Sequence, residues 1–371
     1  MGLAVETITR VEDFDALEDE GWDGLVESME RPSPFLLHAW LRALWPLCDE
    51  PRVCVARRNG RLVGALPLDV RRRRGLWVAE VMGGMDAHLA DVLAAPGEEP
   101  AAALATEAER SGFDYADLFG MPAASRLGAL GGLRLLERVE APVLDLGRPW
   151  EAVYAEKASA KTRQTHRRKL RRLGEQGRLE FELAEGLDDV ADALEETFRV
   201  HELRWQGRPD GSGLARPEVR DAQRAAYTAL AGTARILTLS LDGHVIAYNC
   251  VLVLGRRLYS HRLGFDPAFA QWSPGLLCTL ELCERAAAEG IERVEFLGGD
   301  EDYKLQLADR LEPLYEGIGL ARTVRGRTVV RAQLARVAAL RRLKRSRRLH
   351  RFYVDGLSPV RRAIASVYAL R

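Results

Sequence analysis

The stretch RILTLSLDGHVIA at 235–247 is the clearest indication of the fold, because its pattern predicts a strand, an Asp-Gly turn and a second strand. Asp-Gly or Asn-Gly between two apolar runs is the strongest short-range signal for a β-hairpin. The stretch RVCVARRNGRLVG at 52–64 has the same pattern around Asn-Gly, 183 residues earlier. A second match, GFDYADLFG from Gly112 and GIERVEFLG from Gly290, has an offset of 178 residues. The sequence therefore predicts two copies of one αβ unit.

The second copy is a meander followed by a helix and a strand, an order typical of an α+β fold. Its predicted elements are strands at 234–241, 244–254 and 257–264, a helix at about 274–289 and a strand at 291–297. The region between the copies predicts a strand at 142–146, a basic helix at about 150–176 and an amphipathic helix at about 187–205. We expect three parts: an N-terminal domain at 1–146, a C-terminal domain at 147–330 and a basic tail at 331–371.

The composition excludes several protein classes. No apolar run approaches the roughly 18 residues of a membrane span, and the N-terminus lacks a basic start followed by an apolar core. We therefore expect a cytoplasmic protein. The five cysteines form neither a CxxC pair nor a metal-ligand spacing with histidine, so we expect packed, reduced thiols and no metal site.

The net charge of zero hides an asymmetry along the chain. Residues 331–371 contain 12 basic residues and one acid, whereas residues 1–330 contain 42 basic and 53 acidic residues. Within the tail, apolar residues recur at Leu334, Val337, Leu340 and Leu343, and a second stripe begins at Val360. Basic amphipathic helices suit either an anionic membrane surface or docking on the acidic body. Both alternatives are compatible with the pattern.

A candidate anion site lies where Ser273-Pro274-Gly275 leads into a helix. Ser273 suits the N-cap, Pro274 suits the first helical position, and the first turn has no acid, so free amides can face a phosphate. The equivalent stretch of the first copy lacks this arrangement. We expect one ligand site, in the second copy, bounded by Gln271, Trp272, Ser273, Gly275 and Leu276.

Acid and base candidates lie on and after the last strand of the second copy. Glu295 is on that strand, and Asp300, Tyr303 and Lys304 follow its carboxyl end, where ligands enter an open sheet. Clustered carboxylates can provide a general base, although a solvated turn has the same composition. His261 alternates with Tyr259 and Leu263 on one face of the predicted strand 257–264, where a lone histidine is more often structural than catalytic.

Two upstream segments add candidate binding residues. SAKTRQTHRRKLRR at 159–172 has seven Lys or Arg, and Arg163, Arg167 and Arg171 share one helix face as a phosphate-binding or solvated stripe. The helix at 187–205 ends in His201, Arg204 and Trp205, before the turn-rich stretch QGRPDGSG. That stretch is typical of an acceptor gate or a simple connector.

These motifs together resemble the second domain of tandem GNAT-fold proteins, and most closely the CelD-like acetyltransferases of cellulose and exopolysaccharide synthesis, relatives of the Fem peptidoglycan ligases. The resemblance rests on FDPAFAQWSPG, AAAEGIERVEFLGGDEDYK, SAKTRQTHRRKLRRLGEQG and HELRW. It covers about 150–320 well and 20–120 loosely. The family's acid-Phe, Gly-acid and Tyr-Lys pairs fall on Glu295-Phe296, Gly299-Asp300 and Tyr303-Lys304. Asp302 stands where proline is common, and Leu307 where an aromatic residue is common.

The resemblance implies an acyltransferase that uses an acyl-CoA such as acetyl-CoA, with an amine acceptor such as an amino sugar or an envelope precursor. It implies pyrophosphate binding at 271–276, a base at Asp300 or Glu295 with His261 in reserve, and Tyr303 as the acid. His201, Arg204, Trp205, Lys304, Arg163 and Arg167 would contact substrates. The Fem branch implies an aminoacyl-tRNA donor instead. A third alternative is a catalytically degenerate adaptor at a membrane surface.

Overall fold

The computed structural model describes residues 2–84, 88–129, 132–206, 212–299 and 301–345. The strands are β1 Leu3–Ile8, β2 Pro51–Arg58, β3 Arg61–Arg73, β4 Leu76–Val81, β5 Leu93–Ala94, β6 Tyr115–Pro122, β7 Leu133–Asp145, β8 Leu179–Ala184, β9 Ala234–Leu241, β10 His244–Leu254, β11 Arg257–Phe265, β12 Arg293–Glu295 and β13 Arg310–Gly319. The α-helices are α1 Val11–Asp15, α2 Trp22–Glu27, α3 His38–Leu44, α4 Ala101–Arg110, α5 Trp150–Lys157, α6 Ala160–Gly174, α7 Leu187–Trp205, α8 Pro217–Ala229, α9 Pro274–Ala288, α10 Asp302–Leu307 and α11 Val324–Arg345.

Both predicted hairpins are confirmed. The β2–β3 turn contains Asn59 and Gly60, and the β9–β10 turn contains Asp242 and Gly243. All four residues have positive φ values, between 50° and 79°. This backbone conformation matches the twist of a two-residue hairpin, and Asn, Asp and Gly adopt it at low cost.

The single basic helix predicted at 150–176 is wrong, because the chain forms two helices, α5 and α6. The break falls at Ala158 and Ser159, and the Ser159 side chain accepts a hydrogen bond from the amide of Thr162. A serine N-cap starts a new helix by satisfying one of its free amides. The strand predicted at 291–297 is also shorter, because β12 ends at Glu295 and Leu297 has a φ of 57°.

The described strands form one mixed sheet, and its two halves have the same sequence of equivalent strands when each half is counted inward from its own edge. The order is β1-β2-β3-β4-β6-β13-β7-β12-β11-β10-β9-β8, with β5 paired to β3 at the side. Counting inward from the two edges matches β1 with β8, β2 with β9, β3 with β10, β4 with β11, β6 with β12, and β13 with β7. The only parallel pairs, among the described strands, are β4 with β6 and β11 with β12. The duplicated α+β fold predicted from the two hairpins is confirmed.

The last strands of the two repeats are exchanged at the centre of the sheet. β7 comes from the first repeat but pairs antiparallel with β12 and β13. β13 comes from the second repeat but also pairs with β6 of the first. Backbone hydrogen bonds therefore cross the sequence boundary predicted at 146, and the two repeats share one continuous sheet.

The two repeats also share a core on one face of this sheet. One apolar cluster joins Trp22 and Trp40 of the first repeat with Tyr227 and Tyr248 of the second, and all four side chains are fully buried. On the opposite face, α4 covers the first repeat and α9 covers the second, each with a separate cluster. Burying a large apolar side chain stabilises a fold by about 1.5–3 kcal/mol, so the shared face ties the repeats together.

The basic tail begins as a docked helix. α11 starts at Val324, before the predicted boundary at 331, and Val330, Leu334 and Val337 pack in a cluster with Ile318 and Leu136. The predicted stripe from Val360 lies outside the described residues. None of the described helices combines the length and the apolar character that a membrane crossing requires.

Candidate functional site

A wedge opens in the sheet of the second repeat between β11 and β12. The two strands pair only where 257–259 face 293–295, after which β11 continues for six residues. No described strand pairs with that edge of β11 beyond Tyr259. Its backbone groups therefore face the wedge and can bind a ligand that lies along the strand.

A β-bulge changes the direction of the β11 side chains inside the wedge. Cys250 of β10 faces Arg262 and Val251 faces Ser260, so His261 is the extra residue. A bulge inserts one residue and re-aims the side chains beyond it. The predicted alternation of Tyr259, His261 and Leu263 on one face is therefore wrong. His261 contacts rings on the shared-core face, whereas Leu263 lies against α9.

The first turn of α9 lies directly against the far end of β11. A Cβ atom added to Gly275 would lie 3.2 Å from Phe265 and 3.4 Å from Leu263, so the helix and the strand are in close contact. Gln271 and Trp272 belong to the preceding 3-10 turn, Pro267–Trp272, and Leu276 is half-buried. The predicted cofactor residues, 271–276, are thus gathered at one end of the wedge.

Ser273 occupies the predicted N-cap position but uses its side chain differently. It has a left-handed backbone, with a φ of 55°, and makes no side-chain capping bond to α9. Instead, its hydroxyl accepts a hydrogen bond from the ammonium of Lys169 on α6 at 2.7 Å. The first turn of α9 contains no acidic residue. A cation therefore sits beside the positive end of a helix dipole, an arrangement that an anion would stabilise.

Lys169 is a site residue that the sequence analysis missed. It lies in the same basic run as Arg163 and Arg167, but on a different flank of α6. Arg163 is turned away from the predicted stripe, because its guanidinium donates to the carbonyls of Ala155 and Ala158 at the end of α5. The outer face of α6 has instead a shallow cleft of about 400 Å³, lined by Lys161, Gln164, Thr165, Arg167, Arg168 and Arg171.

The predicted acceptor residues on α7 divide into two groups. Arg204 reaches the wedge, where its guanidinium lies 4.8 Å from the ring centre of Phe265 and donates to the carbonyl of Leu263 at 3.4 Å. His201 lies behind it and is buried, with Trp205 stacked on its ring at 5.8 Å. The stretch at 207–211, predicted as a gate, lies outside the described residues.

His201 is held as a neutral imidazole. Its Nδ1 is 2.9 Å from the Tyr248 hydroxyl, and its Nε2 is 2.5 Å from the Ser212 hydroxyl. Burial, followed by the charges of Arg262 and Arg204, lowers the pKa of His201 to about 4. Both ring nitrogens are engaged, so His201 could contact a ligand only by giving up one of these hydrogen bonds.

Tyr303 on α10 lies against the wedge with properties of a proton donor. Its ring meets Phe296 edge-on at 6.3 Å. Burial is the main cause that raises the pKa of Tyr303 well above its usual range; Glu301 adds to the rise and Arg204 opposes it. The phenol therefore keeps its proton at neutral pH and can donate a hydrogen bond to a negative charge that develops beside it.

Three other predicted catalytic or binding residues are engaged in structural contacts. Glu295 is fully buried and its two oxygens pair with Arg31 at 2.7 Å and Arg257 at 3.2 Å, which argues against a role as the base. The Nδ1 of His261 is 2.7 Å from the Tyr227 hydroxyl. The buried Lys304 pairs with Glu301 and donates to the carbonyl of Gly298, so it holds its own loop. Asp300 lies outside the described residues.

The cysteines behave as packed thiols, as predicted. All five are unpaired, and four of them are buried. Burial is the main cause that raises the pKa of each thiol, for example to about 11 at Cys54 and about 12 at Cys283. Protonated thiols are poor nucleophiles, so none of the five cysteines is prepared to act as one.

In the described part of the first repeat, the equivalent gap between β4 and β6 is bridged beyond their two paired positions, because the amide of Ala90 donates to the carbonyl of Gly120 on β6 at 3.1 Å. Where β4 ends, the short strand β5 takes its place beside β3 through Gly64 and Ala65. α4 is preceded by Glu98 and Glu99, which would repel an anion at its N-terminus. The described residues also contain no cluster of three or more His, Cys, Asp or Glu arranged for a metal ion.

Comparisons with known proteins agree with this architecture. Residues 160–305 match the family model described as the acetyltransferase (GNAT) domain. The second repeat, with its wedge and α9, thus has a GNAT-type fold, and the match supports an acyltransferase. A search of curated proteins found no match.

Solved structures with the same overall fold cover both repeats. FemX is 11% identical with a TM-score of 0.57, covering 84% of this chain and 96% of its own. The C-terminal domain (DUF2156) of a protein assigned as a lysylphosphatidylglycerol synthetase, from Agrobacterium fabrum, is 16% identical with a TM-score of 0.56, covering 86% and 95%. L-PGS from Bacillus licheniformis is 14% identical with a TM-score of 0.55, covering 87% and 96%. At these identities the likeness concerns the fold alone.

Proposed function

We propose that the second repeat is an acyl-CoA-dependent N-acyltransferase whose donor enters the wedge between β11 and β12. The observation that carries the proposal is the contact of Lys169 with Ser273 at the first turn of α9. This turn combines free amides, a lysine and no acid, so it suits a pyrophosphate. The wedge that begins next to it suits the extended arm of the donor.

The proposed reaction is a direct attack of the acceptor amine on the thioester carbonyl. A backbone amide on the open edge of β11 polarises that carbonyl and stabilises the developing oxyanion. The carbon–nitrogen bond forms, the carbon–sulfur bond breaks, and Tyr303 gives its proton to the departing thiolate. Asp300, which follows β12 in sequence, is our candidate to take the proton of the amine.

The acceptor is proposed to be an amine such as an amino sugar or an envelope precursor. Arg204 is the acceptor-side residue that reaches the wedge, because it lies over Phe265 and within electrostatic range of Tyr303. A guanidinium at this position would bind a carboxylate or phosphate of the acceptor. His201 and Trp205 stack on each other on the same helix as Arg204.

The outer face of α6 favours a second candidate, in which the donor is an aminoacyl-tRNA. Arg167, Arg168 and Arg171 are exposed there, together with Lys161 and Arg172. Such a row can follow a phosphate backbone. The face has no aromatic side chain for stacking bases, so a compact pyrophosphate donor remains the better match.

Calorimetric titration with acetyl-CoA, followed by thiol release with a panel of amino sugars, tests the proposal. Wild-type protein should bind acetyl-CoA, and Tyr303→Phe should lower kcat by about 100-fold or more while the Kd for CoA changes little. No binding and no thermal shift at saturating acyl-CoA would overturn the CoA proposal. Strongly salt-sensitive binding of charged tRNA, without CoA binding, would support the second candidate. If the protein binds neither ligand, the result would favour an adaptor.

A further inference from the structure

One arginine of the first repeat pairs with two strands of the second. Arg31 follows α2 in sequence, and its side chain is only 16% exposed. Its Nη2 lies 2.7 Å from Glu295 of β12, and its Nη1 lies 2.7 Å from Glu312 of β13. The first of these contacts joins residues that are 264 positions apart.

The two carboxylates flank the segment that contains the proposed acid. Glu295 is the last residue of β12, and Glu312 is the third residue of β13. Between them run the loop after β12, then α10 with Tyr303, and the turn into β13. Arg31 therefore holds both ends of segment 296–311.

Neighbouring cations hold only one end each. Arg257 pairs with Glu295 at 3.2 Å, and Arg310 pairs with Glu312 at 2.8 Å. Each of these arginines lies in the second repeat. Arg31 is the described residue that bridges the two carboxylates and comes from outside the repeat.

The backbone around Arg31 is also tied to the wedge. The Tyr259 hydroxyl donates to the carbonyl of Pro32, and Arg257 donates to the carbonyl of Glu30 at 3.5 Å. The guanidinium is thus positioned by contacts on both of its sequence neighbours. Because Glu295 is fully buried, removing Arg31 would leave its charge half compensated, and the strand ends would have to move.

We propose that Arg31 is a positioning residue that holds segment 296–311, and with it Tyr303, at the working distance from the wedge. This inference rests on the proposed function for the role of Tyr303, whereas the holding of the segment stands on the contacts alone. A displacement of about 1 Å in a catalytic group can lower a rate about 100-fold. The first repeat therefore contributes a residue that positions the active site of the second.

The test compares Arg31→Gln and Arg31→Lys with Arg126→Gln. Arg126 lines the same cleft of about 500 Å³ as Arg31 but forms no ion pair with another described residue, so it is a matched control for loss of charge. Arg31→Gln should lower kcat about 10- to 100-fold, with the Kd for acetyl-CoA within about twofold of wild type. Arg31→Lys should have a kcat between those of Arg31→Gln and wild type. The lysine ammonium can approach the carboxylates but lacks the two-pronged geometry with which the guanidinium contacts both. Arg126→Gln should match wild type.

Hydrogen exchange separates positioning from general destabilisation. Amide exchange should rise in 296–311 but not in α9 for Arg31→Gln, and Glu312→Gln should have the same effect if the arginine variant does not fold. An equal rise in α9, or unchanged exchange and kcat, would overturn the inference. If wild-type protein neither binds CoA nor transfers acyl groups, the proposed function fails, while the exchange comparison still decides whether Arg31 holds the segment.

Discussion

The ammonium of Lys169 lies 2.7 Å from the hydroxyl of Ser273, across 104 residues of sequence. This contact brings the basic helix α6 to the first turn of α9, so two features that look separate in the sequence form one positively charged site. A cation beside a helix N-terminus is electrostatically unfavourable until an anion arrives. The pair therefore indicates where the phosphates of a donor bind.

Replacing Lys169 tests this site directly. We expect Lys169→Ala to raise the Kd for CoA about 5- to 20-fold, because one charge and one donor are lost beside the pyrophosphate. The affinity should also become less sensitive to salt. Arg171→Ala is the matched control, since Arg171 is exposed and lies two residues from Lys169, on nearly the opposite side of the same helix. Equal effects of the two substitutions in calorimetric titrations would contradict a specific role for Lys169.

Gly264 is expected to be essential for packing β11 against β10. A Cβ atom at Gly264 would lie 2.5 Å from the ring of Tyr248, which is fully buried. Gly264→Ala should therefore lower the free energy of unfolding by about 1–3 kcal/mol, as expected for overpacking. Gly213→Ala is the control, because no atom lies within 4 Å of its added Cβ. Denaturant unfolding of both variants measures the difference, and equal midpoints would contradict the prediction.

Glu80 in the first repeat predicts a pH-dependent stability. Burial is the main cause that raises the pKa of Glu80 to about 7, while Arg73 opposes the rise. A raised carboxyl pKa favours the folded state at low pH, and this contribution is lost as the pH rises through 7. Glu80→Gln should therefore stabilise the protein by about 2 kcal/mol at pH 8 and have little effect at pH 5.

The control for Glu80 is Glu99→Gln, at an exposed position of the same repeat. Its effect on the unfolding midpoint should be small and equal at both pH values. A Glu80→Gln variant with the same stability difference at pH 5 and pH 8 would show that the carboxyl does not titrate in this range.

His201 predicts the opposite pH response. Burial and the nearby arginines lower the pKa of His201 to about 4, so the folded state favours the neutral ring. Stability is then lost as the pH falls from about 6.5 towards 4, because the unfolded chain takes up the proton first. His201→Gln should be less stable at pH 7, since hydrogen bonds to Tyr248 and Ser212 are lost. Between pH 7 and pH 5, the free energy of unfolding of this variant should fall by about 1–2 kcal/mol less than that of wild type.

Thermal unfolding at several pH values measures this difference in slope. His244→Gln provides the comparison, because His244 is exposed at the start of β10. Parallel pH profiles for wild type and His201→Gln would contradict the assignment of the acid-labile group to His201.

Features whose signals lie in contiguous residues could be predicted from the amino-acid sequence. The Asn-Gly and Asp-Gly turns specified both hairpins, and their spacing specified the duplication. Pro274 after Ser273 located the start of α9 to the residue. These signals depend on local backbone preferences, which act within a few residues and do not require the rest of the fold.

The assembly of the site, in contrast, depends on contacts between residues that lie far apart in the sequence. The bulge at His261 turned Leu263 away from the predicted face, and the exchange of β7 and β13 joined the repeats into one sheet. The pairs Lys169–Ser273 and Arg31–Glu295 join residues 104 and 264 positions apart. Such contacts depend on strand order and on the packing of helices across the sheet, so no local pattern of residues specifies them.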